Sequence, residues 1–412
     1  MKKAIVILSV LMLFAASSFA TQARVDSLGV STWMVQDEYL TTTYFPQMVV
    51  NYDKMAKIEY GNTNFAGQAN LSLGPGVLGI IANVPNVSVI AGNAVTSTGA
   101  IYGFELKGMA LGVGLTYGSS GTKQNNGAIN GDVAGDYTSV HAANIGIVAG
   151  LGINLGKNMP LDLGLRFNVP SKFTQDDITK NATGVKTAEA QDGTTGIELA
   201  VDGRIGLPGD MMGNVGVSFV NLKRSNIAKG YTGAGILNAS TEDTTNGTII
   251  AFSVGAEKTV QVGSAMVIFG IDPNFGSGST SRTNVNKITV AKLANDGDTT
   301  GITMIGIPLS IGVENKMNET WMLRGGVSKN VWDLTSTVTK NKNLAGNVIL
   351  NTTVDSTANA TPVFTFGLGG KFGDVSIDGN LATAFLTNGP FILTGTQTGA
   401  FASEIAISYS WK

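Results

Sequence analysis

The chain alternates. In "GIELAVDGRIG", residues 196–206, Ile197, Leu199, Val201 and Ile205 share one parity with Gly203, while Glu198, Asp202 and Arg204 share the other with Ala200. Successive side chains of a strand point to opposite faces, so this stretch reads as a strand with one apolar and one polar face. The pattern recurs along the chain. Ile145, Ile147, Ala149, Leu151, Ile153 and Leu155 oppose Asn144, Gly146, Val148, Gly150, Gly152 and Asn154. Leu161, Leu163, Leu165, Phe167 and Val169 oppose Asp162, Gly164, Arg166 and Asn168. Ile305, Ile307, Leu309, Ile311 and Val313 oppose Gly306, Pro308, Ser310, Gly312 and Glu314. One face is bulky and apolar. The other is small or polar, and sometimes charged.

The connections alternate too. Short turns are expected near residues 107–108, 156–159, 208–212, 259–262, 315–318 and 372–374. Between them lie long segments rich in Thr, Asn, Asp, Gly and Ser, at 119–137, 170–194, 224–246, 273–300, 334–360 and 387–399. A compact soluble domain rarely carries so many long loops. Hydrocarbon offers no partner to backbone N–H and C=O groups, so only a helix or a closed barrel can span it. No apolar run after the N-terminus reaches the ~20 residues of a spanning helix. The expected fold is therefore all-β: a closed antiparallel transmembrane β-barrel with short periplasmic turns and long extracellular loops. Alternating segments, counted from 400–411 back to 99–106 with 77–84, 68–73 and 54–60 upstream, give about 14–16 strands, an even number as in single-chain bacterial barrels. A large β-sandwich or β-solenoid with one wet face is the competing architecture.

Residues 1–20 read as a secretory leader: Lys2 and Lys3, the apolar "AIVILSVLMLF" at 4–14, and Ser18 and Ala20 at small-residue cleavage positions. Residues 21–53 are expected to form an N-terminal lead or a lumen plug, and residues 54–412 the barrel. Trp321, Tyr409 and Trp411 are expected at the periplasmic aromatic girdle. The implied location is the bacterial outer membrane after cleavage near Ala20, with outer-membrane lipid as the surrounding partner.

Charged residues make up only 14 % of the chain, against roughly 25 % in an ordinary soluble domain. Net charge is −2, which gives nucleic acid no basic surface. The chain has no Cys, hence no disulfide, thiolate metal site or Cys nucleophile. The one His, His141, has no local acid or second His to make a metal or catalytic site. Asp176 and Asp177 are expected in a solvated loop. "GPGVLG", residues 74–79, matches a nucleotide-binding glycine pattern but joins two strands and opens no helix, so it reads as a tight turn. "NDGDTT", residues 295–300, lacks the spacing and closing Glu of a calcium loop. No enzyme, metal or cofactor is expected. What remains is a set of lumen-lining candidates of both signs: Glu105, Asp162, Arg166, Glu198, Asp202, Arg204, Glu314, Arg324, Lys329, Asp378 and Glu404. They can line a selective channel or fill a closed interior with salt bridges.

Two stretches carry a family resemblance. "EIAISYSWK", residues 404–412, resembles the C-terminal signal of bacterial outer-membrane barrels in Ile405, Ile407, Tyr409 and Trp411, although Lys412 follows the terminal aromatic. That resemblance implies engagement of the barrel-assembly machinery through the last strand. "RVDSLGV", residues 24–30, followed by "DEYLTTTYFPQ", residues 37–47, is similar in layout to the start of long-chain fatty-acid transporter-like (FadL-like) and secretion-associated barrels. Where those carry Asn-Pro-Ala, this chain has Phe45, Pro46 and Gln47. The resemblance implies a porin-like or FadL-like channel for passive transport of small solutes. The alternative is a structural, surface-binding or secretion-accessory barrel without an open pore.

Overall fold

The computed structural model describes residues 21–35, 44–61, 65–85, 96–126, 136–156, 159–180, 186–232, 236–286, 291–292, 297–342, 348–357, 360–381 and 402–411. The strands, in chain order, are β1 (Met55–Gly61), β2 (Phe65–Leu73), β3 (Gly76–Pro85), β4 (Thr96–Leu106), β5 (Met109–Asn126), β6 (Asp136–Asn154), β7 (Pro160–Lys180), β8 (Lys186–Leu207), β9 (Met211–Tyr231) and β10 (Leu237–Val262). They continue with β11 (Ala265–Ile271), β12 (Asn274–Asn286), the two-residue β13 (Ala291–Lys292), β14 (Thr299–Lys316), β15 (Trp321–Lys342), β16 (Val348–Thr357), β17 (Val363–Phe372), β18 (Val375–Leu381) and β19 (Ala402–Ser410). Each pairs antiparallel with its neighbour, and β1 pairs with β19 from Met55 opposite Ser410 to Gly61 opposite Glu404. The sheet therefore closes. β11 with β12, and β16 with β17, are two halves of one barrel strand each, and β13 is a fragment beside β12, so the wall has sixteen strands.

Parity sorts the side chains as the sequence predicts. On β7, Leu165 is 42 % exposed, while the side chain of its neighbour Arg166 is only 11 % exposed. Val113, Leu115 and Tyr117 on β5, Ile145 and Ile147 on β6, and Ile197, Leu199 and Val201 on β8 continue the exposed apolar face. A band of this kind in water would be a large aggregation surface, whereas against lipid it is the matching solvent. At the short-turn end, Trp321 packs edge-on against Phe372 with centroids 5.3 Å apart, and Tyr409 lies 5.7 Å from Trp411. These rings sit where the girdle is expected.

The buried apolar residues lie on the other side of the wall. The short helix α1 (Gln22–Leu28) is capped by the Thr21 side chain, which accepts from the Arg24 amide at 3.2 Å, and is closed by Gly29 in the left-handed region at φ 61°. Val25 and Leu28 from α1 cluster with Val30, Trp33, Met34, Val35 and Ile268. A 3₁₀ helix, Pro46–Asn51, puts Val49 against Val77, Ile101 and Val148. Both helices thus pack on inward-facing positions. Glycine makes the room: a Cβ at Gly326 would run into the Leu28 carbonyl, and one at Gly112 into the backbone of Pro46 and Gln47.

Several expectations need correction. The described parts of the polar segments 119–137, 170–194, 224–246, 273–300 and 334–360 lie at the end opposite the short turns, but they are mostly paired strand. β7 runs to Lys180 and so carries Asp176 and Asp177, and β9 to β10 pairing continues up to Tyr231 opposite Leu237. Above the lipid band both faces of a strand are wet. Alternation then disappears from the sequence while the backbone ladder and the β-propensity of Thr persist. Ion pairs between neighbouring extensions, Arg224 with Asp192 and Arg282 with Asp243, tie them together. The turn expected at 259–262 falls instead at Gly263 and Ser264, because Thr259 to Val262 stay paired with β11. β14 likewise continues to Lys316. "GPGVLG" is a tight turn, with Gly74 at φ 58°. Residues 1–20, 36–43 and 387–399 lie outside the described residues.

Candidate functional site

The inward charges are joined into clusters, and each cluster also grips residues 21–48. The first is built on β14, β15 and β18. Arg324 donates to Glu314 Oε2 and to Asp378 Oδ1, both at 2.6 Å. Arg24 on α1 makes a forked pair with the same Glu314, at 2.8 and 3.0 Å, and Thr21 donates its hydroxyl to Asp378 at 3.3 Å. The Arg324 side chain is 1 % exposed and that of Asp378 is 2 % exposed, so neither charge has water to fall back on. Burial of this kind is tolerated only because each charge is paired and hydrogen-bonded.

The second cluster lies on β7 and β8. Asp162 and Arg204 are directly opposed in register and pair at 2.8 Å. Gln47 donates to the other Asp162 oxygen at 3.1 Å, and the Arg204 guanidinium lies 5.0 Å from the Phe45 ring and 3.4 Å from the Trp33 carbonyl. Four residues further along β7, Arg166 pairs with Asp202 at 2.9 Å and sits 4.9 Å over the Tyr44 ring. Each such cation–π contact is worth ~0.5–2 kcal/mol, the larger figure when desolvated.

The third cluster is acidic. Glu59 accepts from the Ala23 amide at 3.1 Å and faces Lys57 at 3.7 Å. Asp26 on α1 hydrogen-bonds to Glu404, and burial, with Glu59 nearby, pushes the Asp26 carboxyl above its ordinary range.

The geometry thus brings together eight of the eleven candidates: Asp162, Arg166, Asp202, Arg204, Glu314, Arg324, Asp378 and Glu404. Glu198 faces inward and is buried, but its Oε2 has no hydrogen-bond partner. Glu105 has the inward parity of Ile101 and Gly103 yet is exposed near the short-turn end of β4. Lys329 is corrected. It stands opposite Leu309 on the outward face, because five residues separate it from inward-facing Arg324 and the only nearby register shift lies beyond it, where Pro308 faces Asn330 and Ile307 faces Trp332. His141 lies in β6 opposite Gly121 and Thr174.

The lumen candidates read from the sequence do not include Arg24, Gln47, Lys57, Glu59 or Asp272. Lys57 and Glu59 do show the signal, since they alternate with Ile58 and Tyr60 in "MAKIEYG". Arg24 and Gln47 carry no periodic signature, because their segment is not a wall strand.

No known protein family matches the sequence, and no curated protein is similar to it at a significant level. Solved structures are similar to it only at low identity and low TM-score. The toluene transporter TodX of Pseudomonas putida is 9 % identical with a TM-score of 0.35, over 96 % of this chain and 95 % of that one. The toluene transporter TbuX of Ralstonia pickettii is 11 % identical with a TM-score of 0.35, over 87 % and 89 %. The ferric citrate transporter FecA in its unliganded form is 9 % identical with a TM-score of 0.37, over 79 % of this chain but only 58 % of that one, so the chain spans less than two-thirds of FecA. The closed wall, its even strand number, the outward apolar band, the aromatic rim and the short turns at the end where β1 begins and β19 finishes make this the fold of a bacterial outer-membrane β-barrel.

Proposed function

We propose that the protein is an outer-membrane transport barrel for small solutes, closed at rest by residues 21–53 acting as a plug. One observation carries this reading. The lumen is shaped around a separate segment rather than filled by the wall's own side chains, with glycine where that segment passes and ion pairs where it is held. A barrel built only as a scaffold closes more simply with bulky inward residues. Here small apolar clusters seat the segment, and ion pairs and hydrogen bonds that can be exchanged for water hold it, the property a closable route requires. Asp162, Arg166, Asp202, Arg204, Glu314, Arg324, Asp378 and Glu404 would then line the route once the segment yields.

Conductance in planar bilayers tests this reading. The unaltered protein is expected to be mostly closed, and Arg24→Ala, which removes the fork onto Glu314, to raise the open fraction several-fold. Deletion of residues 22–35 should open it further. If that deletion assembles as a heat-modifiable barrel and still conducts nothing, the transport reading is lost and a structural, surface-binding or secretion-accessory barrel takes its place.

Removal of residues 1–20 belongs to the same proposal. Thr21 is fully buried, with its hydroxyl on Asp378, and its helix carries Asp26 and lies beside Glu59 and Glu404. Cleavage after Ala20 would place a new α-ammonium among these carboxylates, where a cation is favoured. Mass spectrometry of the mature protein is expected to find Thr21 at the N-terminus, and retention of Lys2 and Lys3 would contradict it. Engagement of the barrel-assembly machinery would run through β19, whose Ile405 and Ile407 face outward in the pattern of the C-terminal signal.

A further inference from the structure

A cavity of about 230 Å³ lies between the N-terminal segment and the wall. Trp33, Tyr44 and Phe45 line it from the segment, and Arg166, Asp202 and Asp272 are among its wall residues. Arg166 and Asp202 neutralise each other through their 2.9 Å pair. Asp272 has no cationic partner among the described residues. Its Oδ2 accepts from the Ser31 hydroxyl at 2.8 Å and the Trp33 indole N–H at 3.1 Å. Two buried polar atoms on these walls stay unsatisfied: Arg166 Nη1, a donor, and Asp272 Oδ1, an acceptor.

Buried polar groups without partners cost free energy, and native structures leave few of them. Here one spare donor on a cation and one spare acceptor on an anion belong to residues that line the same cavity. Among the described residues its three charges sum to −1, Trp33, Tyr44, Phe45 and Phe252 supply rings, and Asn214, Ser218, Ser253 and Asn274 supply neutral polar groups. A purely apolar solute would leave both atoms unpaired. An anion would meet the acidic excess. We propose that this cavity binds a small zwitterion of amino-acid size, with its ammonium on Asp272, its carboxylate on Arg166 and its apolar part against Trp33, Tyr44 and Phe45. The ammonium gains a carboxylate without a cationic partner and the neighbouring ring faces, and the carboxylate gains the unsatisfied guanidinium N–H.

The site deepens the transport reading by naming a solute class, but its test needs no flux. The mature protein in detergent micelles is titrated with L-leucine, with N-acetyl-L-leucine, which keeps the carboxylate and loses the ammonium, and with isoamylamine, which keeps the ammonium and loses the carboxylate. L-Leucine is expected to bind saturably, and each analogue at least about tenfold more weakly, the equivalent of ~1.4 kcal/mol. Asp272→Asn should weaken L-leucine by a similar factor while the barrel remains heat-modifiable. The pair Arg166→Gln with Asp202→Asn, which keeps that corner neutral, should weaken L-leucine but not isoamylamine. Equal binding of the three probes to the unaltered protein overturns the proposal, as does the absence of saturable L-leucine binding or indifference to Asp272→Asn. The probe comparison requires no mutation, so a variant that misfolds does not shield the idea. A barrel that conducts but does not bind refutes only this inference, and one that binds but never conducts refutes only the transport reading.

Discussion

Replacing Arg324 by methionine is expected to destabilise the barrel by about 3–5 kcal/mol, the usual cost of removing one member of a buried ion network. The reason lies with what is left behind. Glu314 keeps its fork to Arg24, but Asp378 retains only the 3.3 Å hydrogen bond from Thr21. Asp378 is 2 % exposed, so its charge cannot reach water, and no other described side chain offers it a cation. The double change Arg324→Met with Asp378→Asn removes the orphaned charge and should recover most of the loss, since apolar replacement of a buried pair is often neutral. Arg324→Lys should fall between. Lysine keeps the charge but lacks the planar fork that spans Glu314 and Asp378 at once. Urea midpoints, read as the fraction of heat-modifiable protein, report all three. A loss below about 1 kcal/mol in the single variant would mean that the network is solvated and holds the N-terminal segment only weakly.

The wall was far more legible than its contents, for a physical reason. Lipid on one side and a polar interior on the other impose a period of two, which a single sequence displays directly. Ile147 on β6, Phe167 on β7 and Leu199 on β8 were readable as outward residues one strand at a time, and they are neighbours in register. The opposition of Asp162 and Arg204 was not readable, because it depends on the register between two strands, which turn length and bulges set. The polar extensions were missed as strands because water on both faces erases alternation. Lys329 carries a charge on the outward parity, opposite Leu309, where a lysine near the edge of the band can extend its head toward water. The N-terminal segment shows no period at all. Its place is written instead in the wall, in the glycines on the inward parity of β5, β6 and β7, among them Gly112, Gly150 and Gly164.

Neighbouring residues on β7 provide the sharpest test of the two faces. Leu165→Arg would set a guanidinium on the outward face, in register with Ala149 and Val201 and about halfway up the apolar band. The expected cost is roughly 2–4 kcal/mol, the range for a cation near the bilayer midplane. Sequence alone predicts that Arg166→Leu, one step along, leaves assembly largely intact. The structure alters that expectation. Arg166 neutralises Asp202, whose side chain is 14 % exposed, so the single change strands a carboxylate and carries its own penalty. The fair inward comparison is therefore Arg166→Met together with Asp202→Leu, which takes both charges away. That pair should assemble in liposomes nearly as well as the unaltered protein, whereas Leu165→Arg should not. Assembly lost in the double variant and untouched by Leu165→Arg would reverse the faces and remove the basis for the membrane reading. If the expected order holds, Arg166→Leu alone should fall between, and restoring its assembly with Asp202→Leu would show that the inward face tolerates apolar side chains but not an unpaired charge.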